Sequence, residues 1–240
     1  MKILLRRVAA GSFLLNLLQL GFGEPPVGQK TEPNIEIRVY NLAKVSRKTL
    51  LDAENEASRI FRKAGVEITW SNCSLSRANQ ENASICQEPF SPTDFVLKIL
   101  LLSEVRKAER LGLARESLGS TSPCRQGQQG CAARLYLFRV ERVATQAGIS
   151  QSLLLGHAIA HELGHQLLGL NAHSTAGLML AMWRQKQLRQ AAKGNLVFTA
   201  QEAEAIRHSV LTRATNQGTF LNSGLGSANN AAVGESNRSE

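Results

Sequence analysis

The sequence predicts an α+β fold: a mixed, mostly parallel β-sheet packed with two long helices, followed by a small helical C-terminal subdomain. Two observations support this prediction. Short alternating or apolar runs, typical of strands, are interleaved with longer runs in which apolar residues recur every three or four positions. Between residues 183 and 214 only helical patterns follow. Such interleaving is typical of a sheet with helices packed on it.

Strands are predicted where residues alternate in polarity or where an apolar run lies between polar loops. They cover residues 35–40, 66–70, 95–102, an edge strand within 112–121, and 134–140. The first long helix begins at Ser46, or at Thr49 with Asp52 as its capping-box partner, and ends at Gly65. Its buried face comprises Leu50, Ala53, Ala57, Ile60, Phe61 and Ala64.

The second long helix is predicted to begin near Gln151, with Ser150 or Ser152 as its cap, and to end at Gly169. A further helix is expected over residues 183–192. The last one begins with a capping box formed by Thr199 and Glu202. Its apolar stripe is Ala203, Ile206, Val210 and Leu211.

The second long helix carries the motif His161-Glu162-Leu163-Gly164-His165, an H-E-x-x-H. Residues four apart on an α-helix project from one face, so both imidazoles can bind one Zn²⁺. Glu162 would then hold and deprotonate a zinc-bound water. An ordinary buried helix is the alternative, but it would bury an unpaired glutamate at considerable cost.

A catalytic zinc takes three protein ligands and leaves one position for water. His157 lies one turn before His161, so it is expected to be a buried polar residue rather than a ligand. His173 is better placed, because Gly169 allows the chain to turn back towards the site. His208 and the acids Glu202 and Glu204 of the last helix remain as other candidates.

The H-E-x-x-H, a helix-ending Gly169, His173 followed by Ser174, and Met179 in a Gly-Leu-Met turn together resemble the metzincin zinc peptidases, most of all their matrixin branch. The resemblance implies a metzincin-like fold with one catalytic Zn²⁺. It implies that His161, His165 and His173 are the ligands, Glu162 the general base, and Met179 the Met-turn residue beneath the metal.

The spacing departs from the metzincin pattern HExxHxxGxxH, because Leu168 and Asn171 stand where the pattern has glycine and histidine. Gly169 and His173 stand one and two residues further along the chain than the pattern requires. A gluzincin-like site, with Glu202 or Glu204 as third ligand, is the alternative. The histidines left over do not suffice for the structural zinc of matrixins, and no cysteine precedes the first strand to act as a cysteine switch.

The N-terminal segment of the chain predicts export. Lys2, Arg6 and Arg7 precede an apolar run, as in a signal peptide over residues 1–23; an uncleaved anchor is the alternative. Residues 24–33 form a proline-containing linker, 34–214 the catalytic domain, and 215–240 a disordered tail poor in large apolar residues. We therefore expect a secreted or periplasmic protein without a stable membrane span after cleavage.

The four cysteines form two close pairs, Cys73 with Cys86 and Cys124 with Cys131, which is typical of exported proteins. The sequence permits three pairings, and two disulfides within these close pairs are expected. No CxxC is present, which argues against a second, cysteine-based zinc site.

The net charge of +9 includes three positive charges in the signal segment, and basic residues are spread along the chain with few aromatics. This composition does not favour nucleic-acid binding. The sequence predicts a monomeric, exported zinc endopeptidase whose partner is a protein or peptide substrate. The alternative is a zinc-stabilised envelope or binding protein of the same fold that performs no turnover.

Overall fold

The computed structural model describes residues 32–73, 85–110, 117–122 and 132–228, without the side chains of residues 85, 107–110 and 216–228. The predicted signal peptide and the predicted Cys124–Cys131 pairing lie outside the described residues.

The strands form one mixed sheet. They are β1 (Asn34–Asn41), β2 (Glu67–Cys73), β3 (Asp94–Leu100), β4 (Gly119–Thr121) and β5 (Ala132–Tyr136). Their order across the sheet is β2-β1-β3-β5-β4, and every pairing is parallel except that of β4 with β5. The predicted α+β class with a mostly parallel sheet is confirmed, and β4 lies at the sheet's edge as far as the described residues show.

The helices of the described chain are α1 (Arg47–Lys63), α2 (Leu102–Arg110), α3 (Leu137–Ala147), α4 (Gln151–Leu168), α5 (Gln185–Ala192) and α6 (Ala200–Ala228). A short 3₁₀ helix, Ile85–Gln87, lies between β2 and β3. None of the helices in the described residues has the length and apolar character that crossing a membrane requires.

The core lies between the sheet and the two long helices α1 and α4. Ile35, Ile37 and Val39 alternate along β1 and are at most 1% exposed, so one face of the strand is fully buried. The helices approach each other closely at Gly156 of α4, where an added Cβ would lie 2.7 Å from the Ala53 carbonyl oxygen of α1. This close contact fixes α4, the helix that carries the motif.

The cap of α1 distinguishes between the two predicted starts. Ser46 is the N-cap, and its side chain accepts a hydrogen bond of 3.1 Å from the Thr49 backbone N–H. The alternative start at Thr49, with Asp52 as its capping partner, is wrong, because Asp52 accepts a hydrogen bond from Lys48 instead. Gly65 follows the helix with φ of +75°, a conformation that glycine adopts without strain.

Two predicted strands were too long, and each runs into a helix that the sequence did not indicate. The third strand ends at Leu100 and α2 follows; the fifth ends at Tyr136 and α3 follows. Within α3 the buried residues Arg139, Val140 and Ala144 recur at helical spacing. A short apolar run fits both periods, and here tertiary packing selects the helix.

The fourth strand is described only over Gly119–Thr121, while residues 112–116 of its predicted range lie outside the described residues. The predicted helix at residues 183–192 begins at Gln185. The first disulfide is confirmed: Cys73 at the end of β2 is bonded to Cys86, with their Cα atoms 5.8 Å apart.

The last helix confirms its predicted capping box. The Glu202 carboxylate accepts from the Thr199 N–H at 2.7 Å, and the Thr199 hydroxyl accepts from the Glu202 N–H at 3.2 Å. Leu211 was wrongly placed in the buried stripe, since it is 50% exposed. The helix also continues to Ala228, into the range 215–240 predicted as a disordered tail, and residues 229–240 of that range lie outside the described residues. Once a helix has formed, each added residue contributes a further hydrogen bond, so it extends readily.

Candidate metal centre and cleft

His161 and His165 project from the same face of α4. Their Nε2 atoms are 3.1 Å apart. Two nitrogens that bind one zinc at about 2.0–2.1 Å in tetrahedral geometry would be about 3.4 Å apart. The spacing of the two rings therefore fits one metal ion between them.

Backbone carbonyls orient both rings. His161 Nδ1 lies 2.9 Å from the Leu178 carbonyl oxygen, and His165 Nδ1 lies 3.2 Å from that of Gly169. Because a carbonyl oxygen only accepts hydrogen bonds, each Nδ1 carries the proton and each neutral ring presents an Nε2 lone pair. Two lone pairs at this separation repel each other unless a proton or a cation lies between them, which is the arrangement of metal-binding histidines.

His173 completes a group of three imidazoles. Gly169 ends α4 with φ of +103°, and the Ala172 N–H donates back to the Gly169 carbonyl oxygen at 3.2 Å. This turn places the His173 ring centroid 4.7 Å from that of His165 and 5.7 Å from that of His161. One ligand atom from each histidine lies within 4.8 Å of the other two, so the three residues could hold a metal ion.

Burial keeps the two helical histidines neutral. Loss of solvent contact lowers the pKa of His161 to about 4, against the weaker opposing effect of its hydrogen bond to Leu178. Nearby His165 and His173 lower this pKa further. Burial also lowers the pKa of His165. Both rings are therefore neutral at physiological pH, and their Nε2 lone pairs are available to a cation.

Glu162 lies beside the histidines and is only 6% exposed. Its carboxylate accepts a hydrogen bond of 2.6 Å from the Thr121 hydroxyl of β4. Burial raises the pKa of Glu162 to about 7, although the hydrogen bond from Thr121 acts in the opposite direction. A carboxylate with a pKa near neutrality can take up and release a proton under physiological conditions.

Met179 packs beneath the motif. It is fully buried, and a Cβ added to Gly164, between the two helical histidines, would lie 2.6 Å from its sulfur atom. Its segment is a closed turn, since the Ser174 N–H donates to the Met179 carbonyl oxygen and the Leu178 N–H to that of Val197. The turn therefore presents the Leu178 carbonyl to His161 from below.

Trp183 contributes to the site although the sequence analysis did not identify it. Its indole N–H donates to the Leu178 carbonyl oxygen at 3.1 Å, the same oxygen that orients His161. Its ring also meets the His161 ring edge-on, with centroids 5.6 Å apart. The one available signal was an aromatic residue soon after the Met179 turn, which by itself does not indicate a role.

His157 takes no part in the histidine group, in agreement with its predicted role as a buried polar residue. It is fully buried, and its Nε2 lies 3.4 Å from a Glu56 carboxylate oxygen of α1. The other candidates also lie elsewhere. Glu202 caps α6, Glu204 pairs with Arg207, and His208 is exposed on the same helix. The structure thus brings His161, His165 and His173 together without either acid of the gluzincin-like alternative.

A cleft of about 770 Å³ opens onto the histidines and Glu162. β4 forms one wall, and residues 180–183 form another. Apolar side chains line much of the remainder: Leu118, Val143, Ala158, Leu180, Trp183 and Leu188. The candidate metal centre is accessible to a ligand of peptide size.

No protein-family model matches this chain, and no curated protein is similar to it in sequence.

Proposed function

We propose that the protein is a zinc-dependent endopeptidase of metzincin type. The observation that carries the proposal is the convergence of three histidines, with the buried glutamate of the H-E-x-x-H beside them, in an open cleft. Three protein ligands with a free position towards solvent are typical of catalytic rather than structural zinc.

The ligand set argues against magnesium and calcium, since imidazole suits zinc, copper, iron and nickel, and the H-E-x-x-H motif favours zinc among these. His161, His165 and His173 would hold the ion. When bound, zinc polarises a carbonyl group and lowers the pKa of a coordinated water towards neutrality. The Nδ1–H groups of His161 and His165 donate hydrogen bonds to backbone carbonyls. Each ring is thereby oriented so that its Nε2 would bind the ion.

Glu162 would act as the general base. It would take a proton from the attacking water and later deliver it to the leaving amine. Its enclosure between α4 and β4 keeps the carboxylate close to the histidines and away from bulk solvent.

The substrate would bind as an added strand. The Tyr136 N–H donates to the Leu118 carbonyl oxygen, and the Ser122 N–H to that of Ala132, so these residues face β5. By antiparallel alternation the peptide groups of Gly119 and Thr121 face the free edge of β4, which lines the cleft. An extended peptide could hydrogen-bond there, while the apolar walls receive a large apolar side chain.

Export is part of the proposal. The Cys73–Cys86 disulfide is typical of oxidising compartments, and it supports the signal peptide predicted over residues 1–23. The protein would act as a secreted or periplasmic monomer.

Zinc content and peptide hydrolysis test the proposal together. The purified protein should hold one zinc per chain, and His173→Ala should lose most of it, whereas the matched control His208→Ala should retain it because His208 is exposed on α6. Glu162→Gln should keep its zinc but lose about 10²- to 10⁴-fold in the rate of cleavage of a peptide library.

Each contrary result has a distinct meaning. A wild-type protein that takes up no zinc after reconstitution refutes the proposal. Zinc retained in full by His173→Ala would show that the third ligand lies elsewhere. Stoichiometric zinc without any peptide cleavage that depends on Glu162 would establish the alternative, a zinc-stabilised protein without turnover.

A further inference from the structure

The contact between Thr121 and Glu162 links the edge strand to the motif helix. The Thr121 hydroxyl lies 2.6 Å from Glu162 Oε2 and 3.0 Å from the Glu162 backbone carbonyl oxygen. Both of these atoms are acceptors, so the hydroxyl is the donor to the carboxylate when Glu162 is ionised. Among the described residues, it is the side-chain hydrogen-bond donor to this carboxylate.

Gly119 allows β4 to lie directly against Glu162. Gly119 and Thr121 are two residues apart on a strand and so face the same side of the sheet. A Cβ at Gly119 would lie 2.6 Å from the Arg134 backbone carbonyl oxygen of β5 and 2.8 Å from both Cγ and Oε1 of Glu162. Gly119 does not have a positive φ, so the glycine is required here for space and not for a turn.

The strand that holds Thr121 is itself firmly placed. Its register with β5 pairs Gly119 with Leu135 and Thr121 with Ala133. Just before the strand, the Arg139 guanidinium donates to the Ser117 carbonyl oxygen at 2.7 Å. Arg139 is only 1% exposed, so this hydrogen bond is shielded from water, and Thr121 is placed by contacts of the strand that do not involve Glu162.

We propose that Thr121 is a positioning residue for Glu162: its hydroxyl selects the carboxylate orientation needed for proton transfer. This inference rests on the proposed peptidase function. Its consequence is that one short strand has two roles, because the peptide groups of Gly119 and Thr121 face the cleft while the Thr121 side chain holds the base. The peptide and the base are thereby placed by the same backbone.

Substitution of Thr121 separates this role from a merely structural one. Thr121→Val keeps the branched shape but removes the donor, and it should lower kcat for peptide cleavage by about 10- to 100-fold, because a misplaced base reacts slowly. KM and zinc stoichiometry should change by less than about twofold, since neither the strand's peptide groups nor the histidines are altered. Thr121→Ser restores the hydroxyl and should recover most of kcat.

Thr69→Val is the matched control. Thr69 is an exposed strand threonine on β2, at the opposite edge of the sheet, where its hydroxyl contacts Asn34. The same chemical change there should leave kcat unaltered. The inference is overturned if Thr121→Val keeps kcat within about twofold of wild type, or if Thr121→Ser is as slow as Thr121→Val.

A measurement without catalysis distinguishes failure of this inference from failure of the proposed function. A double-mutant cycle with Thr121→Val and Glu162→Ala in chemical unfolding should be non-additive by about tenfold in the unfolding equilibrium constant. Additive effects would refute the contact, and with it the positioning role. Absence of peptidase activity in the zinc-loaded wild type would instead refute the proposed function.

Discussion

Two histidines one turn apart on α4, His157 and His161, have opposite surroundings. His157 is fully buried against α1, where Glu56 faces its Nε2 and is paired with Arg59. His161 faces the cleft, and its Nε2 meets only another imidazole nitrogen. The comparison shows that burial alone does not distinguish a candidate ligand from a core residue. What distinguishes them is what the free ring nitrogen faces: the closed interface with α1 for His157, and the cleft with two further imidazoles for His161.

The sharpest test of this contrast is His161→Ala. Removal of one of three ligands should weaken zinc binding by more than about 100-fold, since even loss of a residue that only supports a ligand costs about 10- to 100-fold. The fold should persist, because His161 lies at the cleft wall. Competition with a zinc chelator, together with circular dichroism, would measure both quantities. Unchanged zinc affinity would contradict the assignment of the site.

His157→Ala should give the opposite result. The protein should keep its zinc but lose about 2–4 kcal/mol of unfolding free energy, because a fully buried ring is replaced by a cavity and Glu56 loses a neighbour. Denaturant unfolding measures the loss. If His157→Ala remained folded but lost its zinc, the two faces of α4 would not be independent.

The two glycines of α4 provide a third test. A Cβ at Gly156 would lie 2.7 Å from a backbone oxygen of α1, whereas a Cβ at Gly164 would mainly meet the sulfur of Met179. Backbone cannot move aside as a flexible methionine can, so Gly156→Ala should cost about 1–3 kcal/mol and Gly164→Ala less. Calorimetric titration with zinc should show a lower affinity for Gly164→Ala only, because Gly164 lies between His161 and His165. Equal losses of stability would argue against this packing difference.

The buried carboxyl group of Glu54 on α1 also predicts that the stability of the fold depends on pH. Burial raises the pKa of Glu54, which is 3% exposed, from 4.5 to about 7, against the effect of a hydrogen bond with Asn72. The folded protein thus retains this proton while the unfolded chain releases it, so stability decreases as pH rises from about 4.5 to 7.

Glu54→Gln removes this titration. It should be more stable than wild type by about 1–2 kcal/mol at pH 8 and nearly equal to it at pH 4.5. Urea unfolding at both pH values checks the difference. If Glu54→Gln differed from wild type by the same free energy at both pH values, Glu54 would not be the group responsible for the pH dependence.

The local features of the site could be predicted, because they depend on spacing within one helix. The pairing of His161 with His165 follows from their separation of four residues, and the Thr199–Glu202 box from a local capping pattern. The prediction was wrong where a short apolar run fits both helix and strand. Residues 137–140 are such a run, and they begin α3 instead of extending β5.

The sequence by itself determined the class of fold, the course of α1 and α4, and the face of α4 on which two histidines stand, since each depends on contacts between near neighbours in the chain. Only the tertiary structure decided that Thr121 holds Glu162, that Trp183 and His161 share the Leu178 carbonyl, and that His157 faces Glu56. These contacts join segments far apart in sequence. Their partners are chosen by how the helices and the sheet pack together, which no local pattern records.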